Sequence, residues 1–127
     1  MAIVYRLTYK EYGVYRNDNI SEDMTDSQLE VFEDMLNTHC NLDNYPNGYI
    51  DGIENVYYDY RFAFDSIENL VNWFDQYLVL FDQIGCLVEV WITNKFTVGS
   101  SGKQLVFDVE YSYKIGVMSI NTAIKYM

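Results

Sequence analysis

The chain has 127 residues and a mass of 15.0 kDa, is 50% apolar, and sets 19 acidic side chains against 8 basic ones for a formal charge of −11. At this length a single core buries about two-thirds of the unfolded surface, so one domain over residues 1–127 is expected, and the apolar fraction excludes a disordered or fibrous chain. A field of this sign repels phosphate and anionic lipid, which disfavours direct nucleic-acid binding and a membrane surface; it attracts a basic protein surface and speeds encounter with one.

In chain order, Ala2 to Tyr9 alternates and reads as a first strand, with Gly13 marking a turn and a second short strand expected at Val14 to Arg16. Thr25 and Gln28 have capping-box spacing ahead of Leu29, Phe32 and Leu36 at helical intervals. That helix leaves Glu30, Glu33 and Asp34 off its apolar stripe, and His39 stands at its end, placed to meet the last carbonyls. Asn41 to Asn55 holds the single Pro and the turn pairs Asn47-Gly48 and Asp51-Gly52, so it reads as an ordered loop or hairpin.

Val56 to Phe64 alternates with one aromatic face and reads as a strand. Asp65 or Ser66 can then cap a helix through Ile67, Leu70, Val71, Phe74, Leu78 and Phe81, with a break possible near Asp75 and a stop at Gly85. Cys86 to Thr93 is strand-like, and Leu105 to Tyr113 forms a further strand after the Gly99 to Gly102 turn, the two expected to pair as a hairpin. Val117 to Tyr126 reads equally as an edge strand or a short helix. The sum is an α+β domain, a mostly antiparallel sheet with two or three helices on one face. Phe32, Leu36, Leu70, Trp73 and Phe74 are expected to pack on Ile3 or Val4, Phe62, Phe64, Val88, Val90 and Phe107.

The acids are unevenly placed. From Asp18 to Asp82 there are 15 acids and one base, Arg61, a segment charge of −14, whereas the N-terminal segment is +2 and the tail from Gln83 is +1. Two cysteines, Cys40 and Cys86, are too few for a secreted disulfide framework, and Met1 to Arg6 meets a charge before any apolar run of signal length. The host cytoplasm is the expected location, with both thiols reduced and buried.

Tyr5-Arg6, Gly13-Val14-Tyr15-Arg16, His39 with Pro46 and Asp51, Phe62-Ala63-Phe64-Asp65-Ser66 running into Leu70 and Trp73-Phe74, Gly85, and Gln104-Leu105-Val106-Phe107 together resemble a family of small phage and prophage proteins. Members open with Tyr-Arg and Gly-Pro-Tyr-Arg and later carry Leu-x-x-Trp-Phe. Val14 here takes the place of the proline. The resemblance implies origin in a mobile element, where small acidic proteins often serve as counter-defence factors.

Asp43, Asn47, Gly48, Asp51 and Glu54 fit an EF-hand loop at its first, fifth, sixth, ninth and twelfth places. Tyr45 occupies a ligand position, Pro46 stiffens the turn and the exit reads as strand, so an acidic turn is preferred and no metal or other cofactor is expected. His39 and Cys40 are adjacent and point about 100° apart on a helix, which excludes a shared proton. Tyr5-Arg6, Phe64-Asp65-Ser66 and Glu89 are loosely similar to the ADP-ribosyltransferase layout, but the required Glu-x-Glu or Gln-x-Glu is absent and Arg6 reads better as a strand residue paired with an acid. The tyrosines Tyr57, Tyr58, Tyr60, Tyr111 and Tyr113 suit stacking or a partner surface as well as a sheet face. No catalytic residue is assigned.

The expected partner surface is Asp18, Glu22, Asp23, Asp26, Glu30, Glu33, Asp34, Asp43, Asp51 and Glu54. The first reading is an inhibitor, a partial nucleic-acid mimic that blocks a basic nuclease or effector of the host. The alternatives are a nucleotide-binding or ADP-ribosyl-transferring domain and a virion structural or assembly protein, and a homodimer is left open.

Overall fold

Strand β1, Ala2–Tyr9, and strand β4, Leu87–Thr93, run antiparallel from Ala2 opposite Thr93 to Thr8 opposite Leu87. They form the centre of a four-stranded sheet, ordered β2-β1-β4-β7, in which β2 is Tyr12–Gly13 and β7 is Ser112–Ser119. A second sheet has the order β3-β6-β5, from Tyr60–Ala63, Leu105–Asp108 and Phe96–Val98. This computed structural model describes residues 1–15, 19–45, 52–53 and 60–127.

Among the described residues, one backbone bridge joins the two sheets. The Tyr5 N–H donates to the Phe64 carbonyl at 2.8 Å and the Phe64 N–H to the Tyr5 carbonyl at 2.9 Å. Side chains alternate along each strand, so Leu7, Tyr9 and Val88 enter one core while Val4 enters another. The larger core lies between the first sheet and helices α1, Asp26–Thr38, α2, Ile67–Phe74, α3, Leu78–Gln83, and α4, Ile120–Ile124. The smaller one, Val4, Ala63, Leu105 and Phe107 with Trp91 and Val109 against it, lies between the sheets. The fold is α+β with antiparallel sheets, as expected, and a second sheet covers the face away from the helices.

Several elements depart from the sequence reading. The second strand is Tyr12–Gly13 and not Val14 to Arg16, because Lys10 and Glu11 both take positive φ, 49° and 74°, and close a two-residue hairpin before Gly13; Arg16 lies outside the described residues. The apolar stripe of α1 turns on Phe32 and Met35, with Leu36 at the surface. Phe62 is 46% exposed while Ala63 and Phe64 are buried and Tyr60 is half-buried, so the expected aromatic face does not turn to one side as a unit; Val56 to Asp59 lie outside the described residues. The expected strand from Leu105 to Tyr113 is broken by a 3-10 turn at Val109–Tyr111, where the Asp108 carboxylate accepts from the Glu110 N–H at 3.0 Å. Its two halves join different sheets, β6 pairing with β3 and β5 and β7 with β4, so the expected hairpin does not form. The tail is both an edge strand and a helix.

Other expectations hold. Thr25 and Gln28 cap each other reciprocally at the start of α1, and Ser66 accepts from the Asn69 N–H to open α2. The helix breaks at Asp75, whose φ of 45° turns the chain into a 3-10 segment, Asp75–Tyr77, ahead of α3, and Gly85 ends α3 at a φ of 86°. Cys86 is buried and Cys40 exposed, correcting the expectation that both thiols are enclosed. No helix of the described residues is long and apolar enough to cross a membrane.

Candidate functional site

Helix α1 carries the acids the sequence singled out. Burying Phe32 and Met35 turns Asp26, Glu30 and Glu33, at spacings of four and three, to the opposite side. Along the axis these carboxylates stand about 6 Å and about 4.5 Å apart. Glu22 precedes them in the 3-10 turn Ile20–Asp23, and all four are exposed. There is no Lys or Arg anywhere from Asn19 to Tyr45. Among the described residues no cation lies within ion-pair distance of these four.

Helix stability does not account for this stripe. Asp26 with Glu30 and Glu30 with Asp34 are like charges at i, i+4, each costing about 0.2–0.5 kcal/mol. Asp26 alone stands in the first turn, where the helix dipole favours an acid, and the last turn carries no cation to complement the other end.

Two predicted acids have other tasks. The Asp34 carboxylate accepts from the Tyr77 hydroxyl at 2.8 Å, and that hydroxyl also meets Thr38 at 3.0 Å, which ties the C-terminal half of α1 to the break after α2. Glu30, Val31, Asp34, Gln76 and Tyr77 line a groove of about 460 Å³ at that junction. Asp23 accepts from the Tyr9 hydroxyl and from Lys10 at 3.0 Å, and the Tyr9 bond, then Lys10, hold its carboxyl below the usual range. Asp43 is exposed after the helix, its N–H donating to the Asn41 side chain at 3.1 Å. Asp18, Asp51 and Glu54 lie outside the described residues, as do Pro46, Asn47 and Gly48 of the candidate calcium loop. The structure therefore sets Asp26, Glu30, Glu33 and Asp34 on one side of α1, with Glu22 exposed in the turn that precedes it.

His39 caps α1, but its ring does not meet the last carbonyls. It stacks on Tyr45 at 4.1 Å and lies near Tyr15, Trp73, Phe74 and Tyr77. The Trp73 indole N–H donates to the Tyr15 hydroxyl at 2.7 Å, and that hydroxyl reaches His39 Nδ1. Burial pulls the imidazole down to about 4, with the Trp73 backbone pulling weakly the other way, and it pushes the Tyr15 hydroxyl upward. A neutral histidine among aromatic rings is structural here. Beside it, Asn44, Tyr45, Asn69, Asn72, Trp73 and Lys103 line a second hollow of about 440 Å³, with the Lys103 ammonium donating to the Asn44 carbonyl at 2.8 Å.

Sequence reasoning did not find the polar cluster between the sheets. Arg6 and Glu89 stand opposite each other on β1 and β4, and Lys114 and Trp91 converge on the same carboxylate, the indole N–H at 3.1 Å and the ammonium at 3.6 Å. The ADP-ribosyltransferase reading would need Arg6 and Glu89 open to a ligand; here they are buried against one another. Lys114 was invisible because its place depends on β7 pairing with β4.

Residues 1–121 match a family model described as Bacteriophage T4 Y00F protein. No curated protein and no solved structure matches the chain.

Proposed function

We propose that this chain, which belongs to the Bacteriophage T4 Y00F protein family, is a counter-defence protein that binds and blocks a basic, nucleic-acid-handling protein of the host, of the restriction or CRISPR kind. Helix α1 is the binding face, presenting carboxylates where phosphates would sit. The observation that carries the reading is the stripe of Glu22, Asp26, Glu30 and Glu33, exposed, with no cation at ion-pair distance among the described residues and with Asp26 and Glu30 as like charges at i, i+4. A surface that displaces nucleic acid from a basic cleft needs charge of one sign concentrated on one face.

The mimicry is partial. One strand of duplex DNA carries a charge about every 3.4 Å of axis, and the acids of α1 are spaced at about 4.5–6 Å. Part of the affinity then comes from apolar side chains beside the stripe, and Val31 and Leu36 are exposed on the same helix.

The test is a pull-down from host lysate with the native protein and with Asp26→Lys, Glu30→Lys and Glu33→Lys combined, eluted with duplex DNA and with rising salt. The expected result is a nucleic-acid-binding protein that DNA and salt release from the native chain and that the triple variant fails to hold. Capture by the variant at undiminished yield, or a partner indifferent to DNA, would sink the proposal.

A further inference from the structure

The acidic helix is one face of this protein, and the far edge of the first sheet is chemically its opposite. Strand β7 is eight residues long, about 27 Å, and β4 pairs with one side of it alone. Among the described residues no backbone hydrogen bond reaches its other side. Tyr113 is 77% exposed, Ile115 52% and Val117 52%. An edge of this kind templates pairing with another strand, and proteins normally guard it with charge, proline or bulges. Here the single charge, Lys114, is turned inward to Glu89 at 3.6 Å, there is no proline, and one bulge at Ile115, between the pairs Val90 with Gly116 and Trp91 with Lys114, is the only guard.

Register and charge specify the occupant. Ile3, Ile92 and Tyr113 lie in one row across β1, β4 and β7, an apolar band of the helix-bearing face that ends in Tyr113 at the open edge. A further strand would continue the row. Residues 111–127 contain no acid and two lysines, Lys114 and Lys125, so two chains of −11 each can approach along this strand without bringing its own carboxylates face to face. A two-fold contact requires one patch to complement itself, and an uncharged antiparallel edge does so.

We propose that two copies of the chain join through β7, antiparallel and edge to edge, so that two four-stranded sheets become one of eight strands. Stable interfaces start at about 500 Å² per copy, well under a tenth of the 7723 Å² surface of one chain, which pairing along this strand with side-chain contact on both faces can supply. The α1 stripes are left free, and the pairing stands whether or not those stripes bind a host protein.

Light scattering over roughly 10 µM to 1 mM protein, with hydrogen exchange on the same samples, tests this. The expected mass at the upper end is twice the 15.0 kDa of one chain, with slow exchange along Tyr113 to Val117. Ile115→Lys with Val117→Lys should restore the single-chain mass with an unchanged circular dichroism spectrum, while Val79→Lys, at an exposed apolar position on α3, should stay paired. A single-chain mass throughout, a pair that survives the double lysine variant, or assemblies larger than two would overturn the proposal. If the double variant does not fold, the native exchange pattern decides: outward amides of β7 that exchange as fast as a free edge rule the pairing out.

Discussion

The Arg6 guanidinium and the Glu89 carboxylate meet 3.5 Å apart between directly opposed positions of β1 and β4, both largely enclosed between the two sheets. Burial lowers the Arg6 pKa and the facing carboxylate restores part of it. Breaking such a pair from one side leaves an uncompensated charge and costs about 3–5 kcal/mol, whereas replacing both partners with apolar groups is close to neutral. Glu89→Leu should therefore lower the unfolding free energy by about that much, and adding Arg6→Met should recover at least half, as read by urea denaturation. No recovery in the double variant would mean that Lys114 and Trp91, which share the carboxylate, carry the interaction.

The β1 to β2 hairpin turns through two residues that glycine or asparagine usually fills. Lys10 and Glu11 sit at φ of 49° and 74°, and Lys10 is held there by Asp23 at 3.0 Å. Glu11 has no such anchor among the described residues. Glu11→Gly should raise stability by about 0.5–1 kcal/mol despite the added freedom of the unfolded chain. A lower melting temperature for this variant would show that the turn is not strained at Glu11.

How much of this was legible in the sequence depended on range. Capping by Thr25 and Ser66, the stop at Gly85 and the break at Asp75 are written in residues adjacent to the events they cause, and each appears where the pattern placed it. The exposed stripe of α1 followed from the same local periodicity. Strand partners did not: nothing local says that Leu105 to Tyr113 divides at Val109 and feeds two sheets, or that Phe62 faces solvent while Ala63 is enclosed. A one-residue change of face moves every side chain on a strand to the other side, and the second sheet gave both faces of β1 something to bury. That is why Arg6, Glu89 and Lys114 were legible singly and not as a cluster.

His39 sets an acid limit on the fold. Its folded pKa is depressed to about 4 from the ordinary 6.5, so between those values the unfolded chain binds more protons than the folded one. Stability then rises with pH across that window and is lost as pH falls through it. The ring is only half enclosed, and screening trims the effect to about 1 kcal/mol. Melting temperatures from pH 6.5 down to 4 should fall more steeply for the native chain than for His39→Phe, which keeps the stack on Tyr45 and cannot take up a proton. Parallel curves would show that the carboxylates alone govern acid unfolding.

Phe74 ties the acidic face to the rest of the molecule. It is buried, stacks on Tyr15 at 5.9 Å and meets Phe64 and Phe81 edge-on at 5.9 Å and 5.6 Å, so it joins the bridge between the sheets to the core beneath α1, where Phe81 in turn meets Phe32. Truncation to alanine removes these contacts and leaves a void that a close-packed interior cannot fully collapse, at about 3–5 kcal/mol. A domain of this size has roughly 5–15 kcal/mol in all. Phe74→Ala should thus lose most of its cooperative unfolding transition, whereas Asp26→Lys, exposed on α1, should shift stability by no more than about 0.5 kcal/mol. A Phe74→Ala chain that melts as the native one does, yet no longer retains a partner, would move the Trp73-Phe74 pair from the core to the binding surface.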